Sequence, residues 1–195
     1  MPRWIWWTAA ALGAYVGFFW EDEKGDSTLS KVINKFSLSN TVLGRLRQFL
    51  PYFKASAAKH NVPLLDLIGI GWQESGFQPD AQGKPNANGS ADYGIMQINN
   101  KAHPGFFSSR DWRNAQDSID YAASILASNY KIFQGRGLTG QALRAAATAA
   151  YNTGAGNVKK SLAAGKSPDA TTAGGKYGAS VLARAASLPS DILSA

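Results

Sequence analysis

The apolar residues from Thr41 onward recur at helical spacing, and this periodicity constrains the fold more than any other feature of the chain. One helix face consists of Val42, Leu43, Leu46 and Leu50, and a second consists of Ile119, Ala123, Leu126, Tyr130 and Phe133. Strand-like alternation occurs only between Gly94 and Asn99. The sequence therefore predicts a mainly α domain with a small β and loop region around 76–100.

Prolines, glycines and capping residues divide this helical pattern into segments. Pro51 predicts a break or kink in the first helix, because proline lacks the backbone N–H that a helix uses. Asn61 and Pro63 are typical of the start of the next helix, and Thr139 is a plausible cap for an alanine-rich helix over 141–151. Further helical segments are predicted over 154–162 and 172–188.

Composition limits the classes of partner and of site. The chain has 195 residues, 45% of them hydrophobic, which is enough for one well-buried domain with an appendage. Lys and Arg outnumber Asp and Glu by 20 to 13, so the net charge is +7, which suits a polyanionic partner. Because the cations are scattered and no basic helix of a known nucleic-acid fold is present, we expect no nucleic acid partner. Cysteine is absent, and the only histidines, His60 and His103, are expected at the surface. These are common metal ligands in proteins, so we expect no metal site. We expect no other cofactor.

Trp4 to Trp20 form an uncharged stretch of 17 residues that is a candidate membrane helix. At a rise of about 1.5 Å per residue it spans roughly 26 Å, and aromatic residues lie at both ends, as at membrane interfaces. Arg3 precedes the stretch and three acids follow it, which predicts a cytoplasmic N-terminus and an exported C-terminal domain. We divide the chain into a transmembrane anchor over 1–20, a polar tether over 21–40 and a domain over 41–195.

Two other interpretations of this segment stay open. A cleaved signal peptide is also short and basic at its start, but no small-residue cleavage site follows the apolar run, which ends at Phe18-Phe19-Trp20-Glu21. We therefore favour a retained anchor over a cleaved one, and a signal-anchor that later leaves the bilayer is the other alternative. Gly13 and Gly17 are spaced for close helix approach, so the anchors of two copies are candidates for self-association.

Glu74 follows an almost wholly apolar stretch, Pro63 to Trp72, and this placement predicts a carboxyl at the end of a buried helix. Burial removes the water that only the charged form needs, and the partial negative charge of a helix C-terminus acts in the same direction, so both raise the pKa. A carboxyl that stays protonated near neutral pH can donate its proton to a glycosidic oxygen. Residues 76–91 form a long loop with three Gly, two Pro and two Asn, and such loops often carry function.

Three blocks of sequence resemble the signature blocks of a known family. The blocks are Glu74-Ser75-Gly76-Phe77-Gln78-Pro79-Asp80-Ala81, Gly89-Ser90-Ala91-Asp92-Tyr93-Gly94-Ile95-Met96-Gln97-Ile98-Asn99, and Ala149-Ala150-Tyr151-Asn152-Thr153-Gly154-Ala155-Gly156-Asn157-Val158. In order and spacing they resemble the soluble lytic transglycosylase domain, whose fold is lysozyme-like. The resemblance covers about residues 49–188. Among subgroups the chain looks most like the small transglycosylases of secretion, conjugation and phage entry, in which a His or Trp follows the second block, as His103 does here.

The resemblance implies roles for the residues around the predicted acid. Glu74 resembles the single catalytic acid and base of the family, and Ser75 resembles the serine that supports it through a local hydrogen bond. Tyr177 resembles a later family tyrosine that faces the catalytic glutamate, although the surrounding block is weak.

The resemblance also implies which residues bind the glycan. Met96 and Gln97 resemble residues that line the subsite for the N-acetylmuramic acid ring, and Tyr151 with Asn152 resembles a Tyr-Asn pair on the opposite wall. The predicted substrate-binding set also includes Asp92 and Tyr93, from the second block, and the two residues named beside the acid, Ser75 and Tyr177.

The reaction implied by the resemblance is cleavage of the β-1,4 bond between N-acetylmuramic acid and N-acetylglucosamine in peptidoglycan. Glu74 would protonate the bridging oxygen and then accept the proton of the muramyl C6 hydroxyl, giving a 1,6-anhydro product. Asp92 also resembles the second carboxylate of animal-type lysozymes, and within roughly 5 to 9 Å of Glu74 it would support hydrolysis by water instead. We favour the transglycosylase reaction because two of the sequence blocks match that family.

Two further classes of function stay open at this point. One is a non-catalytic wall-binding module, and the other is a basic membrane-tethered adaptor that recruits nucleic acid or a secretion machine. The favoured interpretation has two partners, peptidoglycan glycan strands and, through residues 4–20, a lipid bilayer. It places the protein in an inner membrane with the catalytic domain in the periplasm, or in the internal membrane of a phage virion, where it opens the cell wall locally.

Overall fold

A computed structural model of the protein describes residues 39–190 and 192. The predicted membrane anchor and nearly all of the predicted tether lie outside these residues, and none of the helices within them is long and apolar enough to cross a bilayer. The described elements are α1 (Asn40–His60), α2 (Leu64–Ser75), β1 (Asp92–Tyr93), β2 (Ile98–Asn99), α3 (Pro104–Ser109), α4 (Ala115–Gln134), α5 (Gly140–Thr153), α6 (Ala155–Ala163), two 3-10 turns (Pro168–Thr171 and Ala173–Gly175) and α7 (Tyr177–Ala186). The predicted mainly helical domain with a small β region around 76–100 is confirmed.

Helix α2 lies at the centre of the fold, among α1, α4, α5 and α7. Seven consecutive residues of α2 are buried, so the helix is apolar on nearly every face. Two glycines allow the neighbours to approach: a Cβ at Gly69 would lie 2.6 Å from the Val181 carbonyl oxygen, and one at Gly71 would lie 2.8 Å from the Phe53 ring. The surrounding helices therefore fix the position of the α2 C-terminus closely.

Pro51 does not end helix α1, which continues through it to His60. The proline is exposed, and its position on the solvent side of the helix leaves the core face of α1 unchanged. The buried residues around it are Leu46, Phe49, Leu50 and Phe53. Burial of each such side chain contributes roughly 1.5–3 kcal/mol, and together they exceed the cost of about 3 kcal/mol for an internal proline.

The ends of these helices follow local chemistry. The Ser39 side chain accepts a hydrogen bond from the Val42 N–H at 3.3 Å, so the first helix begins just inside the segment predicted as tether. Asn61, which was expected at the start of the next helix, instead ends α1 in the left-handed conformation, whereas Pro63 precedes α2 as predicted. Thr139 lies at the predicted cap of α5, but its side chain makes no capping hydrogen bond.

A short antiparallel hairpin follows the loop over 76–91. Its register pairs Asp92 with Asn99 and Tyr93 with Ile98. The turn between the strands needs Gly94, because its φ is 76° and a Cβ there would lie 2.4 Å from the Trp112 carbonyl oxygen. This hairpin contains the second sequence block and carries it to the end of α2.

A buried ionic cluster joins α2 to α4 and α5. The Asp66 carboxylate is fully buried and accepts hydrogen bonds from the Tyr130 hydroxyl and from Arg144, whose Nε lies 3.1 Å from both carboxylate oxygens. Burial raises the pKa of Tyr130, and the Asp66 charge adds to this effect, so the phenol keeps its proton and acts as a donor. The cluster anchors the first turn of α2 at the opposite end from Glu74.

We expect Asp66→Ala to lower the free energy of unfolding by about 3 kcal/mol, because the change leaves a partly buried arginine and a buried phenol without their acceptor. Urea unfolding followed by circular dichroism measures the difference. The matched control is Asp80→Ala, the same change at an exposed carboxylate, which should alter the stability by less than about 0.5 kcal/mol. Equal effects of the two substitutions would contradict the anchoring role of the cluster.

Candidate active site

Glu74 lies in the last turn of α2, where the helix ends at a left-handed Gly76 with a φ of 60°. Its side chain is partly buried, and its Oε1 atom accepts a hydrogen bond from the Tyr177 hydroxyl. Tyr177 is the first residue of α7 and is only 4% exposed. The helix end predicted for Glu74 is confirmed, and a phenol from the far end of the chain faces its carboxyl.

The environment of Glu74 raises the pKa of its carboxyl from an ordinary value of 4.5 to about 7. Burial is the largest cause, because it removes the hydration of the charged form. The hydrogen bond from Tyr177 opposes this effect, since it stabilises the carboxylate, and the negative charge of Asp92 raises the pKa further. Near neutral pH the group therefore exists in both protonation states, which is the property that a general acid and base requires.

A second tyrosine, Tyr151, lies close enough to Glu74 to feel its charge. The Tyr151 hydroxyl donates a hydrogen bond to the Met96 carbonyl oxygen at 2.9 Å, and this bond joins α5 to the hairpin. Burial raises the pKa of both Tyr151 and Tyr177 well above 10, and the negative charge of Glu74 contributes in each case. Both phenols therefore keep their protons and act as hydrogen-bond donors.

The Ser75 hydroxyl forms two hydrogen bonds to backbone groups next to the end of α2. Its hydroxyl donates to the Ile95 carbonyl oxygen at 2.8 Å and accepts from the Gln78 N–H at 2.9 Å. The first bond attaches the hairpin turn to the helix that carries Glu74, and the second fixes the start of the long loop. Ser75 thus connects the elements around the site.

Asp92 lies on β1 with a partly buried side chain. Its Oδ1 atom accepts a hydrogen bond from the Asn99 side chain at 2.8 Å, across the register pair of the hairpin. Its negative charge raises the pKa of both Glu74 and Tyr151, so the carboxylate acts on the same site as they do. The charge of the second carboxylate expected from the sequence thus acts on Glu74, as a smaller cause than burial.

Three other predicted binding residues have structural contacts that the sequence did not indicate. Met96 differs most from the expectation, because its side chain is fully buried against α2 and has no surface for a ligand. The Gln97 side chain donates to the Gly94 and Ala81 carbonyl oxygens at 2.9 and 3.2 Å, which stabilises its positive φ of 48°. The Asn152 oxygen accepts from the Ala173 N–H at 2.9 Å.

Tyr93 belongs to an aromatic cluster that the sequence analysis missed. Its ring lies 5.4 Å from that of Phe107 and 5.0 Å from that of Trp112, measured between centroids, and all three side chains are partly exposed. Arg113 stacks on Trp112 at 4.0 Å. The short helix α3 and the turn after it bring these residues together, and no local pattern in the sequence marks that contact.

The two histidines are not simple surface residues, contrary to expectation. His103 is partly buried, its Nδ1 atom lies 3.2 Å from the Tyr121 hydroxyl, and burial lowers its pKa. His60 lies 2.8 Å from Asp120, which also accepts hydrogen bonds from Lys59 and Arg110. Burial opposes ionisation of Asp120, but these three partners hold its pKa well below the usual range. A cavity of about 330 Å³ between α1 and α4 includes this carboxylate and does not include Glu74.

Comparison with known proteins gives two matches. The family described as the transglycosylase SLT domain matches residues 51–173, which include Glu74, the hairpin and Tyr151. Protein IpgF of Shigella sonnei is 32% identical to this chain over 123 residues, and the match covers 57% of this chain and 75% of that protein. Tyr177 lies beyond the range of the family match, so the tertiary structure supplies the evidence for its contact with Glu74.

We expect Glu74→Gln to be more stable than the natural protein at pH 8 by about 3 kcal/mol, with the difference disappearing toward pH 4.5. Because the folded-state pKa of Glu74 is raised, the folded state binds more protons than the unfolded state between pH 4.5 and 7, and stability falls as the pH rises through that window. The neutral amide has no such dependence. Urea unfolding at pH 5 and pH 8 tests this, and a pH-independent difference between the two proteins would contradict a raised pKa.

Proposed function

This chain belongs to the transglycosylase SLT domain family, and we propose that it is a peptidoglycan lytic transglycosylase that cleaves the β-1,4 bond between N-acetylmuramic acid and N-acetylglucosamine, with a 1,6-anhydro product. The observation that carries the proposal is the Glu74 carboxyl, which is desolvated at the end of a buried helix and has a pKa of about 7. Such a group can hold a proton at neutral pH and release it to a glycosidic oxygen.

In the first step the protonated Glu74 carboxyl donates its proton to the bridging oxygen. The bond between that oxygen and C1 of the muramyl ring breaks with its electron pair going to the oxygen, so the N-acetylglucosamine side leaves as an alcohol and C1 becomes an oxocarbenium-like cation. The Glu74 carboxylate that results is stabilised by the hydrogen bond from Tyr177. Tyr177 thus limits the rise of the Glu74 pKa, and it offsets part of the cost of forming a charge in a desolvated position.

In the second step the same carboxylate acts as a base. It accepts the proton of the muramyl C6 hydroxyl while the C6 oxygen forms a bond to C1, which closes the 1,6-anhydro ring and returns Glu74 to its protonated form. Because the nucleophile is part of the substrate, this scheme requires one carboxyl group and no activated water. A single group with a pKa near the working pH serves both steps.

Hydrolysis by water is the second candidate reaction, and the electrostatic contact between Asp92 and Glu74 favours it. A second carboxylate stabilises the cationic C1 centre or orients a water molecule. Against this role, Asp92 is held by Asn99 across the hairpin, and that bond occupies one of its oxygens. We therefore assign Asp92 to substrate binding and to raising the pKa of Glu74.

The alternative of a wall-binding module without turnover does not require a carboxyl with a pKa near neutrality, so the raised pKa of Glu74 favours an enzyme.

We also propose that residues 1–20 anchor the enzyme in a membrane and that 21–38 form a tether to the catalytic domain. The support is the uncharged stretch over 4–20 with aromatic residues at both ends, and the acids that follow it. An inner membrane with the domain in the periplasm, or the internal membrane of a phage virion, would place the enzyme beside peptidoglycan for local wall opening. The positive charge of the chain is consistent with an anionic wall polymer as the partner.

We expect Glu74→Gln to reduce the release of soluble fragments from purified peptidoglycan by at least about 10²-fold, because the amide can neither donate nor accept the required proton. Circular dichroism should show an unchanged helical content. The control is Asp80→Asn, an exposed acid in the following loop, which should retain full activity. Lysis by Glu74→Gln at the rate of the natural protein would refute the assignment.

Mass spectrometry of the released muropeptides distinguishes the two candidate reactions. We expect products with 1,6-anhydro ends, which are one water lighter than products with reducing ends. Asp92→Asn should keep these products and lower the rate by less than about tenfold, since its charge adds only a secondary contribution to the Glu74 pKa. Reducing ends, together with loss of activity in Asp92→Asn, would replace the proposed reaction with hydrolysis.

A further inference from the structure

The first turn of α7 is capped by a residue that lies outside the helix. Lys176, at the position before the helix, makes no side-chain capping bond. The Asp169 carboxylate, from the first 3-10 turn, takes this place: its Oδ1 accepts from the Gly178 N–H at 2.7 Å and its Oδ2 accepts from the Ala179 N–H at 2.9 Å. Both oxygens of one carboxylate therefore serve the backbone donors of this helix end.

Thr172 completes the arrangement. Its hydroxyl accepts a hydrogen bond from the Tyr177 N–H at 3.2 Å and lies 3.0 Å from Oδ1 of Asp169, within donating distance. The N–H groups of the first three residues of α7 are thus all bonded to the segment 169–172. Tyr177 is the first of those residues, so its backbone is fixed directly by this segment.

Asp169 is a buried acid with no part in the proposed proton transfers. It is only 2% exposed, and it is the only Asp or Glu in residues 121–190. Among the ion pairs of the described residues none involves it. Its charge is met by backbone N–H groups and by the positive end of the α7 dipole, which makes this carboxylate a strong cap.

Because residue 178 is a glycine, the first turn of α7 can lie close to the α5 backbone. A Cβ at this position would lie 3.1 Å from the Ala145 carbonyl oxygen and 3.2 Å from Oδ1 of Asp169, closer than most side-chain contacts. The start of α7 is therefore held between the α5 backbone on one side and the Asp169 carboxylate on the other. The Tyr177 phenol extends from this constrained turn to Glu74.

We propose that Asp169 is a positioning residue: by holding the first turn of α7 against α5, it keeps the Tyr177 phenol on the Glu74 carboxyl. Any effect of Asp169 on turnover rests on the proposed function. The hydrogen bond between Tyr177 and Glu74 can be measured in the protein without substrate. Asp169 touches neither Glu74 nor the expected substrate bond, so it acts through Tyr177 alone.

The sign of the effect separates this role from a direct electrostatic one. The hydrogen bond from Tyr177 favours the charged form of Glu74, so loss of that bond raises the pKa of Glu74 above about 7. Direct action of the Asp169 charge on Glu74 has the opposite sign. Removal of a nearby negative charge would lower the pKa of Glu74, because the carboxylate would meet less repulsion.

The test is a titration of the Glu74 carboxyl by ¹³C NMR in the full-length chain, with Glu74→Gln identifying the signal. We expect Tyr177→Phe and Asp169→Ala each to raise the pKa of Glu74 by about one unit, the size expected for a lost hydrogen bond to a charged group. Because both changes remove the same contact, the double variant should show the pKa of Tyr177→Phe alone. The matched control is Ser167→Ala, which removes the cap of the same 3-10 turn and no bond to α7, and should leave the pKa unchanged.

Three results would overturn the proposal. The first two are an unchanged or a lowered Glu74 pKa in Asp169→Ala. The third is a pKa increase from Asp169→Ala that is as large in the Tyr177→Phe variant as in the natural protein. Should Asp169→Ala fail to fold, Thr172→Val removes the acceptor of the Tyr177 N–H and should raise the Glu74 pKa in the same direction. The proposed function would fail separately, as an absence of glycan cleavage by the natural protein, and that outcome leaves the pKa comparison intact.

Discussion

Desolvation of one carboxyl at the end of a buried helix is the constraint on which the rest of this structure depends. Helix α2 ends beside the hairpin and helix α7 for two reasons. Gly69 and Gly71 have no side chains, so Val181 and Phe53 can pack close to the α2 backbone. The Asp66 cluster anchors the first turn of α2. The same packing that stabilises the domain removes water from Glu74. The raised pKa is therefore a consequence of the core, because burial is its largest cause.

The negative charges of three buried or partly buried acids in this domain are stabilised by different kinds of partner. Asp66 has an arginine and a phenol, and Asp169 has backbone N–H groups at a helix end. Glu74 has a single phenol, Tyr177, so the cost of its charge is only partly offset. The first two arrangements favour stability, and the third lowers stability above neutral pH while it favours proton transfer. A site of this kind is expected where function and stability oppose each other.

Much of the fold could be predicted because its signals are local. The apolar face of α4 and the glycine-rich loop after α2 are read from neighbouring residues, and the structure has both. The break that was one of the two outcomes expected at Pro51 does not occur, because the burial of the four core residues around it outweighs its local effect on α1. The surface positions expected for His60 and His103 were wrong for a related reason, since their partners, Asp120 and Tyr121, come from α4, and helix packing is not visible in the local sequence.

The sequence by itself determined that Glu74 lies at the end of an apolar helix, because hydrophobic periodicity is a signal carried by neighbouring residues. The tertiary structure decided which contacts surround it, including the Tyr177 hydrogen bond that the resemblance alone had suggested. Tyr177 is 103 residues away along the chain, Asp169 reaches α7 from a separate turn, and the Met96 side chain is in the core and not at the site. Each of these contacts results from the way helices pack in three dimensions, and the free energy of that packing depends on residues that are far apart in sequence.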